Sequence, residues 1–571
     1  METADSEKII TLLERLKTSS ENISEDELIS ILNATVKSCH VPCRDAPEDV
    51  PYDATEFENV AREAEMHLCV LLRLLDSINK AKKEGQKFSL QFLKGVIVGC
   101  VSVACEYRDS SWEWSNAQAA ITSRDILNKL CDLCECDNLQ VLLTGRQVAE
   151  DSKEDGDVKR KETDAADFEG YMKFVLEKLS ESLKKTTWKS YPAVKMVFLY
   201  MLELLDHRSI SKHLPYLLPP ALFISDDWEK SNKALGLSAL RHILTKTPSS
   251  ELRFYGRAAV IFDALKPHLY AREVEVLDEL YPTILEAAKV LEADPSYAGK
   301  LRTQTHYEVI LEQLLREMYG EQKLALRSLY SRILPEVIAA MGIVALRWSQ
   351  DLMEIFKDYL ATYDGQDAED RINILKGIKR YVQECWPQVH VSAADITKML
   401  VRLVYDVTEE DSDVEPKAVN IIIQETEIIV QLLCDAAPQT MQKACYGITT
   451  VPCHAKCKSV LERISVIVES KEIKLHHRAR TRTFSKLWRC NTPNQQHKES
   501  TKAAEALTSC DKNKKQKNVS AKLLPQVGNH RYYNRESSAQ YGAFDAPLPE
   551  KESPPKPMPT TSLHNVVKVD L

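Results

Sequence analysis

The sequence predicts an all-α protein assembled from stacked pairs of antiparallel helices, and three observations carry that expectation. The first is a shortage of glycine, 16 residues in 571, against the roughly 7% of ordinary usage. Phosphate-cradling loops, hairpin turns and doubly wound sheets all draw on glycine, so the composition disfavours each of them. The second is the stretch 211–248, which reads as helix, acidic turn, helix. The third is its recurrence. Turns comparable to the one at Asp227 fall near Ala271, Glu321, Asp364 and Ser412, at intervals of 44, 50, 43 and 48 residues. These scatter around the roughly 40–47 residues of a HEAT or armadillo unit. The expected fold class is therefore a HEAT/armadillo-type helical-repeat solenoid, with a disordered C-terminal tail.

In chain order, residues 1–148 read as a helical region with irregular repeats. One or two short helices occupy 5–35, and a loop rich in proline and acid follows at 39–53. A helix from about 56 to 80 carries Leu68, Leu71, Leu72, Leu74 and Leu75 on one face. The next, 89–107, buries Phe92, Val96, Val101 and Ala104; another is expected over 123–143. Residues 149–167 hold almost no apolar side chain and cannot offset their ordering entropy, so they read as a flexible acidic linker.

The repeat solenoid is placed at 168–470, beginning with Tyr171, Phe174, Val175 and Leu179 on one helix face. In 211–248 the first helix carries Leu214, Leu217, Leu218, Ala221 and Leu222 on one face, together with Pro215, Pro219 and Pro220, which bend a helix. Ser225, Asp226 and Asp227 are expected to cap the second helix, which buries Leu235, Gly236, Ala239, Leu240 and Ile243. Stripes of the same period flank the later turns. Val274, Leu277, Tyr281 and Ile284 follow the turn at Ala271, while Leu352, Phe356, Tyr359 and Tyr363 precede the one at Asp364. Ile372, Leu375, Ile378 and Val382 come after it, ended by Trp386-Pro387. Pro416 suits a first helical position ahead of Ile422, Val430 and Leu433.

From 471 to 571 the periodicity stops and basic, polar and proline-rich segments succeed one another, which reads as a disordered tail. This tail carries 19 basic and 9 acidic residues, so the remaining chain holds −19 of the overall −9. An acidic body does not attract nucleic acid, and protein partners are expected. No run of about 20 uninterrupted apolar residues is present, and the N-terminus is acidic and then amphipathic, unlike a secretory signal. A reducing compartment follows. The 15 cysteines then read mainly as small core hydrophobes, and the glycosylation triplets at Asn22, Asn33 and Asn518 as chance.

Phosphate loops, GxSxG elbows, HExxH helices and kinase signatures are all missing from the sequence, so the expectation is a protein without catalytic activity or cofactor. Cys131, Cys134 and Cys136 have the local spacing of a metal knuckle but no second pair at suitable spacing. Cys39, His40 and Cys43 form a similarly thin set. Cys445, Cys453, His454 and Cys457 cluster better because Pro452 interrupts helix there; the competing reading is a loop docked on the last repeat. The acidic run 364–370 lacks the ligand order of a calcium loop and reads as helix capping.

Several motifs together resemble a known family. Ile224-Ser225-Asp226-Asp227-Trp228, Asn232-Lys233 and Leu235-Gly236, with Trp188-Lys189 and Pro192-Ala193-Val194-Lys195 upstream and Tyr363-Asp364-Gly365 and Trp386-Pro387 downstream, are similar to the family of the second Tel-two-interacting protein. The likeness covers about 168–435. It implies a non-enzymatic subunit of the TTT co-chaperone complex, beside the Tel-two protein and a larger helical-repeat partner. That complex would act with the ninety-kilodalton heat-shock chaperone on phosphatidylinositol-3-kinase-related kinases such as mTOR, ATM and ATR, in cytoplasm and nucleus. Candidate partner-binding residues are Trp228, Tyr363 and Trp386, with Asp226, Asp227 and Asp364 beside them; core positions at repeat junctions are the alternative for the three aromatics.

Overall fold

The computed structural model describes residues 25–44, 57–145, 170–292 and 304–480, the side chains of 471–480 excepted. All of them lie in one unit, Met1–Arg482. Among the described residues every regular element is helical. The expected acidic linker at 149–167 lies outside the described residues. So does the expected tail beyond 480.

The N-terminal helices are α1 (Glu25–Cys39), α2 (Glu58–Lys83), α3 (Leu90–Glu106), α4 (Ala117–Leu133) and α5 (Leu139–Thr144). Polar residues start three of these: Ser89, Asn116 and Asn138 each accept a backbone N–H from the first turn they precede. The helix expected over 123–143 is thus two helices. It begins earlier, because Asn116 caps it, and it breaks after Leu133, where Glu135 takes a left-handed φ of 54° and Asn138 opens a new start.

Next come α6 (Met172–Ser182), α7 (Val194–Glu203), α8 (Ile210–Ser225), α9 (Lys230–Lys246), α10 (Ser249–Phe254) and α11 (Arg257–Leu265). The chain continues through α12 (Val274–Leu291), α13 (His306–Met318), α14 (Leu324–Met341), α15 (Ser349–Ala361) and α16 (Glu369–Glu384). It closes with α17 (Ala393–Thr408), α18 (Pro416–Ala436), α19 (Pro438–Ala444) and α20 (Ala455–Arg480). The last helix passes ten residues beyond the expected repeat boundary at 470.

From α8 onward the elements form two layers. One is the succession α9, α12, α14, α16, α18 and α20, each packed on the next; α13, α15, α17 and α19 pack on one another as the second. The four turns α8–α9, α11–α12, α15–α16 and α17–α18, together with α13–α14, sit where the recurring acidic turns were read from the sequence. The apolar stripes explain the layering. Leu277, Leu280, Tyr281 and Ile284 of α12, and Ile374, Leu375, Ile378 and Tyr381 of α16, are fully or almost fully buried between neighbours. Leu324–Ala361 is apolar and long enough on composition alone to cross a membrane. Here it is divided between α14 and α15, which belong to different layers.

The α8–α9 pair shows how tightly a unit closes. α8 remains one helix through Pro215, Pro219 and Pro220, held by Ile210, Leu214, Leu217, Ala221 and Ile224, all buried along its packed side. α9 crosses its end so closely that a Cβ on Gly236 would lie 2.2 Å from the Ser225 backbone nitrogen. Ordinarily Gly→Ala inside a helix gains up to about 1 kcal/mol. Here Gly236→Ala is expected to lower the unfolding free energy of the full chain by about 1–3 kcal/mol through overpacking, a sign reversal that denaturant titration would read directly.

Candidate partner-binding surface

The α8–α9 turn gathers residues that are far apart in the chain. Lys189, from the single turn Trp188–Ser190 ahead of α7, pairs with Asp227 at 2.6 Å, and both side chains are largely buried. Asn232 on α9 donates through Nδ2 to Asp227 (2.7 Å) and to Glu229 (2.9 Å). Its Oδ1 accepts from Lys195 of α7 at 2.6 Å. Burial pushes the Lys195 ammonium below its ordinary range, an effect opposed by the carboxylates of Glu229 and Asp227. The result is a closed polar network that ties α7 and the Trp188 turn to the start of α9. Trp228 lies above it. Its ring is 5.4 Å from the Lys189 ammonium, and the residue is 56% exposed.

The expected capping by Ser225, Asp226 and Asp227 does not occur. α9 starts at Glu229 without a side-chain cap, Ser225 bonds back to the Leu222 carbonyl, and Asp227 is committed to Lys189 and Asn232. Asp226 alone of the three is exposed.

The α15–α16 turn repeats the arrangement with other residues. Asp364 accepts from the Arg371 backbone N–H at 3.0 Å and from its Nε at 2.6 Å, with both side chains nearly inaccessible. Here the acid does cap its helix, reaching over Ala368, which occupies the N-cap in a left-handed conformation. The neighbouring Tyr363 is 56% exposed, with the Arg371 guanidinium 5.8 Å from its ring. Beside this turn, burial raises the Asp370 carboxyl above the usual aspartate range while Ser331 donates to it at 3.2 Å.

The six candidates therefore separate. Asp227 and Asp364 face inward, each satisfied by a cation, and are not offered to a partner. Trp228, Tyr363 and Trp386 are all more than half exposed, so none is a core residue. Trp228 and Tyr363 share the edge formed by turns within helix pairs. Trp386 follows α16 and precedes α17, which puts it on the edge formed by connections between pairs.

Two aromatic residues on the first edge escaped the sequence reading: Tyr270 and Tyr319, 61% and 74% exposed. Each sits one or two residues from a turn marker already identified, Ala271 and Glu321, and that proximity was the available signal. Glu321 is buried like Asp227 and Asp364. It bonds to Arg272 and accepts the backbone N–H of Lys323 at the start of α14.

Of the cysteine sets, Cys445 and Cys457 are buried, with thiols pushed up to about 11 by burial, and Cys453 is half-buried. His40 pairs with Glu106 at 2.7 Å instead of grouping with Cys39 and Cys43. Among the described residues no three His, Cys, Asp or Glu side chains are arranged to hold a metal.

A helical-repeat protein with inward-facing polar pins and outward-facing rings is the class these features define. Residues 101–366 match the Tti2 family. TELO2-interacting protein 2 of Rattus norvegicus is 29% identical over 393 residues, 68% of this chain and 73% of that protein. The Homo sapiens protein is 29% identical over 371 residues, 65% and 69%; the Mus musculus protein, 29% over 413, 72% and 76%. The resemblance read from the sequence holds: the chain is similar to the Tti2 family. Among solved structures, a chain from the Kap95p–RanGDP complex aligns at a TM-score of 0.44 and 11% identity over 82% of this chain and 54% of that one.

The geometry separates pin from ring by experiment. Asp227→Ala leaves Lys189 and Asn232 without their shared acceptor and is expected to cost about 3 kcal/mol of stability. Trp228→Ala is expected to cost under about 1 kcal/mol. Chemical denaturation of the two variants beside the parent chain measures both.

Proposed function

We propose that this chain is a non-enzymatic scaffold subunit of the TTT complex, binding the Tel-two protein and the larger Tel-two-interacting helical-repeat protein. Through them it would act with the ninety-kilodalton heat-shock chaperone system to stabilise and assemble phosphatidylinositol-3-kinase-related kinases of the mTOR, ATM and ATR class, in cytoplasm and nucleus. The observation that carries the reading is the α7–α9 network. The motifs that resemble the family, Trp188-Lys189, Lys195, Asp227-Trp228, Asn232 and Gly236, are scattered over about fifty positions, yet they meet in one packed cluster. Three relatives named for interaction with TELO2 align over about two thirds of the chain, and the family match over 101–366 spans that cluster. Stacked helix pairs expose long surfaces suited to another helical protein, and stable subunit contacts of that kind bury large areas.

The other function kept in view is a transport or trafficking adaptor of HEAT/armadillo type. Affinity capture of the tagged chain from extract of its own cells distinguishes the two. Stoichiometric recovery of the Tel-two protein and the larger repeat protein, with the kinases and chaperone in smaller amounts, is the expected result. Recovery of cargo receptors in their place overturns the subunit reading.

A further inference from the structure

The turns within helix pairs form a continuous edge. Lys230 at the first turn pairs with Glu275 at the second (2.9 Å). Arg272 at the second reaches Glu317 (3.0 Å) and Glu321 at the third. Arg327, beside the third, pairs with Asp358 (3.2 Å), just before the fourth. The Glu415 N–H of the fifth donates to the Gln366 carbonyl of the fourth at 2.9 Å. Four successive turns on this edge each present one exposed ring: Trp228, Tyr270, Tyr319 and Tyr363.

The fourth and fifth turns then carry exposed carboxylates at Asp367, Glu369, Glu409, Glu410, Asp411 and Asp413. None of these makes an ion pair among the described residues. The rings are costly to leave in water, and buried acids fix the turns that carry Trp228, Tyr319 and Tyr363, so these three are held in place before any partner arrives. The opposite edge also exposes apolar residues, Phe254, Ile343 and Trp386 among them. Their spacing along the chain is irregular, however.

We infer that the turn edge, from Trp228 to Asp413, is the docking surface for a protein partner whose contact face is an apolar strip ending in a lysine- and arginine-rich patch. The inference rests on the subunit reading and assigns that reading its surface. Rings would supply most of the affinity, as aromatic anchors do. The unpaired carboxylates would supply orientation and a salt-dependent association rate.

The test uses the full chain co-expressed with the Tel-two protein and the larger Tel-two-interacting protein, with dissociation constants measured at low and moderate salt. Combined Trp228→Ala, Tyr319→Ala and Tyr363→Ala is expected to weaken binding at least about a hundredfold. Glu410→Lys, Asp411→Lys and Asp413→Lys together should weaken it about tenfold and flatten the salt dependence. Phe254→Ala with Ile343→Ala should leave it unchanged. Because the charge variant alters only exposed turn residues, it decides the matter even where the ring variant loses stability. If the parent chain binds and both edge variants bind equally well, the surface is wrong while the subunit reading stands. Loss of binding only in the opposite-edge variant has the same meaning. Failure of the parent chain to bind either partner removes both. A chain ending at residue 480 that binds at least about tenfold more tightly identifies the basic tail as the occupant and overturns the inference.

Discussion

A buried carboxylate at the tip of a helix pair is the constraint on which the rest of this structure depends. A turn between two close-packed helices exposes backbone donors and must still hold its two helices in register. Glu321 and Asp364 meet both demands from inside the fold, accepting the backbone N–H groups of Lys323 and Arg371, while Asp227 meets the second through the side chains of Lys189 and Asn232. Each is shielded from water, and each is matched by a cation: Lys189, Arg272 and Arg371 respectively. The cation for the first comes from an earlier helix pair's approach, for the second from the preceding turn, and for the third from the helix being started. Such pairs contribute little net stability, because desolvation offsets most of the attraction. Their effect is on geometry, since each pair joins its turn to a second part of the chain.

Geometry fixed from beneath has a consequence for what lies above. A side chain beside an inward-facing acid has nowhere to go but outward. Trp228 and Tyr363 follow this rule directly, with their rings resting near the very cations that neutralise the acids. Tyr319 follows it through Glu321. The polar interior of the turns and the aromatic exterior of the edge are one arrangement seen from two sides.

Most of the fold was legible in the sequence because it depends on periodicity. Every turn from Asp227 to Ser412 interrupts apolar stripes of helical spacing, and helix pairs flank each of them. What the sequence left open was direction. Asp226 and Asp227 are chemically identical neighbours, yet one is exposed and the other buried; only the position of Lys189, thirty-eight residues earlier, decides between them. Trp386 looked equivalent to Trp228 because both are aromatic residues at helix ends, whereas the edge each occupies depends on which ends the layers bring together. The break after Leu133 was hidden for a local reason. Glu135 in a left-handed conformation carries no sequence signal of the kind glycine gives.

The junction of the N-terminal helices with the repeats also bears on how the chain could be handled. Gly145 and Gly170 are separated by twenty-four residues in sequence, yet the Tyr171 N–H donates to the Leu142 carbonyl at 3.3 Å. A Cβ on Gly170 would fall 2.5 Å from the Gly145 nitrogen. The two ends of the intervening segment thus meet at a single point. Loop closure depends only weakly on length, so that point is a natural port for engineering. A short glycine–serine bridge could replace the segment there, or a fluorescent domain with neighbouring termini could be spliced in, without moving either flanking helix.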